Sequence, residues 1–347
     1  MTDLSGFPSA EVQFRADGGI DGSDGAARAL AADPGVTDLL VLTHGWNNDA
    51  AGARDLFAQL ARSLRDVVDD GHGLPSGRTL GVLGVIWPSR QFALPGQMAG
   101  VTAADAPVTE QDLFDGIDGL RAVFPDESAR LDEAAALVPQ LTEEASARRE
   151  FVALVRGLVT PAVGDGAEGA DALFTLPGEV VLDQLAVSQP PVPSVEAGLG
   201  GLLGGILGGG LNLLNYTTFY AMKERSAVVG AAGLAPLLTA IGRPGLRLHL
   251  AGHSFGARLV SAATKALPAG STVASMALLQ GAFSHFGFAA DWDLDTPGAQ
   301  PGLFRSDVAD RRVTGPVLIP HTANDLAVGI AYAVASRLAT QIDTGIG

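Results

Sequence analysis

Short apolar runs alternate with amphipathic stretches along much of the chain. The apolar runs contain few polar residues, and they lie at residues 38–43, 80–87, 246–250, 273–279 and 316–320. Runs that stay apolar without alternating are typical of strands buried on both faces, and helical stretches between such strands indicate crossover connections. The pattern therefore predicts an α/β fold with a mostly parallel sheet flanked by helices.

The second and third of these predicted strands are far apart in the chain. A crossover needs only about 12 residues, so the gap predicts a large insertion over residues 91–244, mainly helical, that serves as a cap or lid. The core is then expected to consist of residues 1–90 and 245–347. Within the insertion, residues 109–159 are rich in Glu, Asp, Arg, Ala and Leu, which predicts two or three helices broken near Pro125.

The segment Ala197 to Met222 has no charged residue and contains eight glycines. Three interpretations stay open: a mobile apolar lid, plain buried packing, and a membrane-spanning helix. The segment is long enough to span a bilayer, and Gly200, Gly204 and Gly208 have the spacing that lets membrane helices approach each other. Eight glycines, however, weaken any helix. Peripheral contact of residues 197–222 with a membrane or lipid is a further expectation.

Composition narrows the classes of partner and site. The net charge of -16 repels phosphate backbones, so nucleic acid is not expected as a partner. The chain has no cysteine, which excludes disulfides and thiolate metal sites. The scattered histidines have no metal-ligand spacing and no phosphate-loop motif occurs, so neither a metal nor a cofactor is expected. The first ten residues lack a secretory pattern, which predicts a cytoplasmic location.

A G-x-S-x-G pentapeptide, Gly252 to Gly256, follows the third apolar run. Leu259, Ala263 and Leu267 recur after it at four-residue spacing, which indicates a helix. A serine at a sharp strand-to-helix turn is exposed for attack, and glycines on both sides leave room for the backbone. The context favours Ser254 as a nucleophile over a structural Gly-Ser turn.

The loop His44-Gly45-Trp46 follows the first apolar run. A serine nucleophile needs donors for the negative oxygen that forms during attack. We expect the backbone N–H of Phe255 to be one donor and that of Trp46 the second, with Gly45 shaping the loop. His44, together with Gly252, His253 and Gly256, is expected to support the loop and the turn. In the alternative interpretation, His44 caps a core loop and Trp46 only packs.

These motifs, with Trp87-Pro88-Ser89 and Thr322-Ala323-Asn324-Asp325, resemble the α/β-hydrolase superfamily, in particular bacterial esterase- and lipase-like members. The resemblance covers residues 36–90 and 245–340. It implies the order serine, acid, histidine, and hydrolysis of carboxylic esters through an acyl-enzyme. Asp325 matches the family's acid after the penultimate strand, with a competing cluster at Asp291, Asp293 and Asp295.

The family's histidine has no counterpart after Asp325 in this sequence. Three explanations stay open: a longer native chain supplies it, His321 substitutes for it, or the protein is a scaffold without activity. His321 and Asp325 are four residues apart, so one helical turn would place them within reach of each other. His285, after the preceding strand, is less well placed.

The predicted function is therefore a serine esterase or lipase, with Ser254, His321 and Asp325 as its catalytic residues. The apolar segment 197–222 motivates a small-molecule or lipid ester with an apolar acyl group as the substrate. An acyltransferase, a thioesterase or an amidase would use the same site. A non-catalytic interaction module on the same fold is the alternative from another class.

Overall fold

The computed structural model of the chain describes residues 2–46, 48–89, 108–159, 176–187, 205–293 and 298–320. These residues divide between two compact units. The first contains the described parts of Met1–Arg90 and Met222–Gly329, and the second contains those of Gln91–Ala221. The candidate nucleophile and both predicted donors belong to the first unit.

One eight-stranded sheet runs through the described part of the first unit. Its strands are β1 (Thr2–Leu4), β2 (Phe7–Phe14), β3 (Ile20–Asp21), β4 (Asp38–Thr43), β5 (Leu80–Ile86), β6 (Arg247–His253), β7 (Ser275–Leu279) and β8 (Val317–Leu318). Their order is β1-β2-β5-β4-β6-β7-β8, and β3 pairs with β2. All pairs from β2 to β8 are parallel, whereas β1 and β3 lie antiparallel to β2.

The described residues of the two units form ten α-helices. They are α1 (Gly25–Ala32), α2 (Ala50–Val67), α3 (Glu110–Val123), α4 (Ser128–Leu137), α5 (Ala145–Arg156), α6 (Gly178–Val187), α7 (Gly205–Val228), α8 (Ala235–Ile241), α9 (Phe255–Ala266) and α10 (Arg305–Ala309). Short 3₁₀ turns lie at Pro125–Glu127, Val138–Gln140 and His285–Phe288, and π-helical segments at Val68–His72 and Val229–Leu234.

Strand β5 shows why the sheet has helices on both faces. All of its residues are buried, as expected for a strand covered on two sides. Gly81 faces Leu30 of α1, and Gly84 faces Phe57 of α2. Side chains three positions apart on a strand point to opposite faces, so α1 and α2 cover opposite faces of the sheet.

The predicted α/β class and mostly parallel sheet are confirmed. The five predicted strands correspond to β4 through β8, and helices flank the sheet. The prediction missed β1 to β3. Strand β2 nevertheless alternates, with Val12 and Phe14 buried and Glu11 and Gln13 exposed, which is the pattern of a strand with one solvated face.

The second unit is helical in its described part. Thr109 and Asp112 form a capping box that starts α3. Buried apolar side chains from each of the helices α3, α4, α5, α6 and α7 form one core. It includes Leu113, Leu131, Phe151, Leu182 and Leu213. Many small contributions of this kind, rather than helix propensity, stabilise such a unit.

The compact units divide the chain at a different residue from 244, the predicted end of the insertion. The second unit ends at Ala221, and Met222 onward belongs with the sheet. The physical reason is close packing of the segment Val229–Leu234: a side chain at Gly230 would collide with the backbone of Leu259 in α9, and one at Gly233 would lie 2.8 Å from the ring of Phe14. These glycines let the segment press against the core of the first unit.

The apolar segment 197–222 is described only from Gly205 onward, where it forms most of α7. Residues 197–204 lie outside the described residues. None of the helices in the described ranges combines the length and the apolar character needed to cross a bilayer. The predicted roles of residues 91–244 as a cap, and of the segment as a lid or lipid contact, stay predictions.

Candidate functional site

Ser254 occupies a strained turn between β6 and α9. Its backbone angles are φ 55° and ψ -120°, a conformation that residues with a side chain adopt rarely and at a cost of about 1–3 kcal/mol. The residue is half-buried, whereas every residue from Phe255 to Thr264 is buried. The strained turn therefore leaves Ser254 partly exposed at the start of an otherwise buried helix.

The two glycines of the pentapeptide make this turn possible. A side chain at Gly252 would collide with the backbone of Gly256, and one at Gly256 would lie 2.6 Å from the carbonyl oxygen of His44. Real side chains do not approach backbone atoms so closely, so only glycine fits at either position. The turn is also tied to the next strand, because the Ser254 N–H donates to the carbonyl of Leu279 at 2.9 Å.

The loop after β4 lies directly against Ser254. A Cβ placed on Gly45 would be 2.8 Å from the Ser254 Cβ and 2.9 Å from the Nδ1 of His253. The loop ends where Asp49 caps α2 by accepting the Gly52 N–H at 2.8 Å. Parallel pairing of β4 with β6 places Thr43 beside Gly252, so the register of the sheet brings the two motifs together.

His44 is buried in the structure beneath this loop, with no exposed surface. Its Nε2 accepts the Trp87 N–H at 3.1 Å, and its carbonyl accepts the indole N–H of Trp87 at 2.9 Å. The two rings stack at 5.6 Å. With Nε2 accepting, the proton resides on Nδ1, which donates to the Gly45 carbonyl at 3.0 Å.

The pKa of His44 is lowered from 6.5 to about 4, mainly by burial and to a smaller extent by the neighbouring His253. A neutral ring is required because a protonated Nε2 could not accept from Trp87. His44 is thus a fixed structural donor. It lies under the loop, and its ring nitrogens bond the backbone and Ser89; its predicted support role stays a prediction.

The Gly45 carbonyl is held from several sides. It accepts from the His44 Nδ1, from the Ser89 hydroxyl at 2.9 Å and from the Asn48 side-chain amide at 3.4 Å. In a planar trans peptide the C=O and the following N–H point in opposite directions. The Trp46 N–H is therefore directed away from these donors, and its nitrogen lies two bonds from the Gly45 Cα that contacts Ser254.

His253 and Gln280 form a pair on the other side of Ser254. The Nε2 of His253 lies 3.0 Å from the Oε1 of Gln280, and Gln280 itself has a positive φ of 49°. The His253 Nδ1 is buried without a hydrogen-bond partner among the described residues. Gln280 follows β7 directly, so this contact joins the turn at Ser254 to the end of the neighbouring strand.

The predicted acid and base lie outside the described residues. Asp325 and His321 both fall after residue 320, and Asp295 falls within 294–297. Of the other candidates, Asp291 accepts the Gln300 N–H at 2.9 Å and so helps to shape its loop, and His285 is exposed in a 3₁₀ turn.

Sequence reasoning missed Gln280 and gave Ser89 no role. Ser89 stood within a quoted motif, and its place two residues after the apolar run 80–87 was a usable signal. Gln280 directly follows the predicted strand 273–279 and had the same positional signal, but its contact with His253 depends on the register between β6 and β7.

Within the described ranges, no cluster of three or more histidine or carboxylate side chains has the arrangement to hold a metal ion. What the arrangement offers is a strained serine, a glycine loop packed against it, and two backbone N–H groups, of Phe255 and Trp46, beside it. The chain matches no protein-family model, no curated protein and no solved structure.

Proposed function

We propose that the protein is a serine hydrolase that cleaves carboxylic esters through an acyl-enzyme on Ser254. The observation that carries the proposal is the backbone of Ser254, with φ 55° and ψ -120° between β6 and α9. Strain at a single polar side chain is retained where it has a use, and a strand-turn-helix serine flanked by glycines has the geometry of a nucleophile elbow. The proposed fold is accordingly that of the α/β hydrolases.

In the proposed reaction, a base takes the Ser254 proton as the Oγ attacks the ester carbonyl. The carbonyl oxygen becomes negative and accepts hydrogen bonds from the Phe255 and Trp46 N–H groups, because such preorganised donors stabilise developing charge. Collapse of the intermediate expels the alcohol, which receives the proton from the base. Water then attacks the acyl-enzyme in the same way and releases the acid.

We assign the base to His321 and the orienting acid to Asp325. The support is their position: Pro320 lies two residues after the end of β8, and its carbonyl accepts the Gln280 N–H at 3.2 Å. Gln280 in turn contacts the residue before Ser254. The chain therefore reaches the neighbourhood of the elbow at the residue before His321.

Labelling with a fluorophosphonate tests the proposal. We expect the full chain to be labelled at Ser254, and Ser254→Ala to abolish the labelling. Ser275→Ala is the matched control, because Ser275 also lies within hydrogen-bond distance of a histidine, 2.7 Å from the His249 Nδ1. A full chain that is folded but unlabelled would instead support a non-catalytic module.

The same reagent tests the assignment of the base. His321→Ala and Asp325→Ala should lower the labelling rate, since general-base assistance contributes about 100-fold or more. His285→Ala should leave it unchanged. The reverse result would assign the base to His285.

A series of p-nitrophenyl esters from acetate to palmitate tests the expected apolar acyl group. Activity that is flat along the series would contradict an apolar acyl site. Transfer of the acyl group to added alcohols or amines would reveal an acyltransferase.

A further inference from the structure

Ser89 has a hydrogen-bonding role that the proposed reaction does not yet use. The residue is fully buried, with 0% of its surface exposed. Its hydroxyl lies 2.9 Å from the Gly45 carbonyl and 3.0 Å from the Asn48 carbonyl, and the His44 Nδ1 lies 3.3 Å away. The hydroxyl has a single proton, which it donates to the nearer carbonyl, that of Gly45, while the Asn48 carbonyl at the other end of the loop is an alternative acceptor.

The residues before Ser89 are held by hydrogen bonds other than those of the Ser89 hydroxyl. The Trp87 N–H donates to His44, and the Pro88 carbonyl accepts from the Arg225 guanidinium at 2.9 Å. The Ser89 N–H donates to the Trp87 carbonyl at 2.8 Å. Because the backbone around Ser89 is anchored in this way, the hydroxyl oxygen has a fixed position and does not simply move with the loop.

A fixed donor on the Gly45 carbonyl determines the orientation of one peptide plane. The carbonyl and the Trp46 N–H belong to the same rigid unit and point in opposite directions. Any rotation of the plane that moves the carbonyl off Ser89 also turns the Trp46 N–H by the same angle. Hydrogen bonds weaken steeply as their angle falls, so such a rotation would misalign a donor aimed at a developing negative charge.

We infer that Ser89 is a positioning residue that aims the Trp46 N–H at the reacting carbonyl oxygen by holding the Gly45 carbonyl in place. The inference rests on the proposed function, since it requires an oxygen that becomes negative during attack by Ser254. The orientation of the Trp46 N–H is then set by a side chain 43 positions away in the sequence. Ser89 itself does not touch the substrate.

Ser89→Ala removes the donor and leaves the His44 contact on the Gly45 carbonyl. Complete loss of an oxyanion donor costs about 100- to 1,000-fold in kcat, so partial misalignment should cost about 10- to 100-fold. The KM for p-nitrophenyl butyrate should change by less than about twofold, because the ground-state carbonyl makes little use of the donor. Ser89→Thr retains a hydroxyl and should recover most of the rate.

Ser226→Ala is the matched control. Ser226 is also fully buried, and its hydroxyl donates to a backbone carbonyl, that of Lys223, at 2.7 Å. The two alanine variants therefore lose the same kind of bond and should lose similar stability. Only Ser89→Ala should lose kcat, and only it should bind a butyl trifluoromethyl ketone more weakly, by the same factor as its loss in kcat/KM.

The outcomes separate this inference from the proposed function. If the wild type is labelled at Ser254 but Ser89→Ala matches Ser226→Ala in kcat and in ketone affinity, the positioning role is refuted and the hydrolase proposal stands. If the wild type is neither labelled nor active, both fall. If Ser89→Thr is too overpacked to fold, the comparison of the two alanine variants still decides.

Discussion

The strain at Ser254 makes a prediction about stability that does not depend on any substrate. The angles φ 55° and ψ -120° are close to the mirror image of an extended conformation, which glycine adopts freely. An alanine at this position would keep the strain, whereas a glycine would relieve it. Both substitutions remove the hydroxyl, so their difference isolates the backbone.

The magnitude follows from two opposing contributions. Relief of the strained conformation is worth about 1–3 kcal/mol. Glycine gives back about 0.5–1 kcal/mol because it makes the unfolded chain more flexible. Ser254→Gly should therefore be more stable than Ser254→Ala by up to about 2.5 kcal/mol, and by about 1.3 kcal/mol at the middle of both ranges, while both are inactive.

Urea unfolding followed by tryptophan fluorescence measures this difference. The three tryptophans, Trp46, Trp87 and Trp292, all belong to the first unit, so the signal reports the unit that contains Ser254. The comparison requires equal slopes for the two variants, since a changed slope would indicate a changed unfolded or native state.

Ser261 provides the control for the same pair of substitutions. It lies in the middle of α9 with no exposed surface, in a helical conformation that disfavours glycine by about 1 kcal/mol relative to alanine. The order of stability should therefore be reversed at Ser261. If Ser254→Gly is no more stable than Ser254→Ala, the elbow is not strained and the main support for the proposed nucleophile is lost.

Three further predictions concern the surroundings of the site. Gly45→Ala would place a Cβ 2.8 Å from that of Ser254. Overpacking of this kind costs about 1–3 kcal/mol and would move the loop, so fluorophosphonate labelling should slow by about 10-fold or more. Labelling at the wild-type rate would contradict the close contact. Asp307 is fully buried, and burial raises its pKa from 3.8 to about 8. Between pH 4 and 8 the folded protein therefore retains a proton that the unfolded chain loses. The free energy of unfolding should fall by up to about 1.4 kcal/mol per pH unit over this range. The lowered pKa of His44, about 4 against 6.5, has the opposite effect below pH 6.5, so urea midpoints measured from pH 6.5 to 8 isolate Asp307, and Asp307→Asn should abolish the slope. Asp38→Ala should lower the unfolding free energy by about 3 kcal/mol, because Asp38 is fully buried and its carboxylate binds Arg78 at 2.6 Å; an unchanged urea midpoint would show that the pair contributes no net stability.

Much of the sheet was predictable because its strands are buried on both faces. A strand such as β5, with every residue buried, appears in the sequence as an unbroken apolar run. Strand β2 was missed because it lies towards the edge and exposes Glu11 and Gln13, which gives a weaker alternating signal. The unit boundary differs from the predicted end of the insertion because residues 226–242 carry no charge and could be buried in either core, so only packing decides which core they join.

The site was predictable where it depends on local sequence and not where it depends on register. The motif around Ser254 predicts an elbow because two glycines and a strand end are adjacent in the chain. The contacts of Gln280 with His253 and of Ser89 with Gly45 join residues 27 and 44 positions apart. Neither pair has a spacing that a sequence pattern would reveal, because both depend on which strands are neighbours.

A second group of serine, histidine and aspartate shows which features of Ser254 matter. At the start of β7, the Ser275 hydroxyl lies 2.7 Å from the His249 Nδ1, and the His249 Nε2 lies 2.9 Å from Asp38. These distances alone would fit a catalytic triad. The group lies at the amino ends of β4 and β7, the edge of the sheet opposite the elbow, whereas sites in parallel sheets form at the carboxyl ends.

The charge and backbone of this second group also differ from those of the elbow. The Asp38 carboxylate is shared with Arg78 and Arg247, so it has little charge left to stabilise a protonated histidine. Ser275 has the extended backbone of a strand, in contrast to the positive φ of Ser254. A hydrogen-bonded serine is thus insufficient for nucleophilic attack, and the combination of strain, exposure and adjacent donors at Ser254 is what should restrict fluorophosphonate labelling to that one serine.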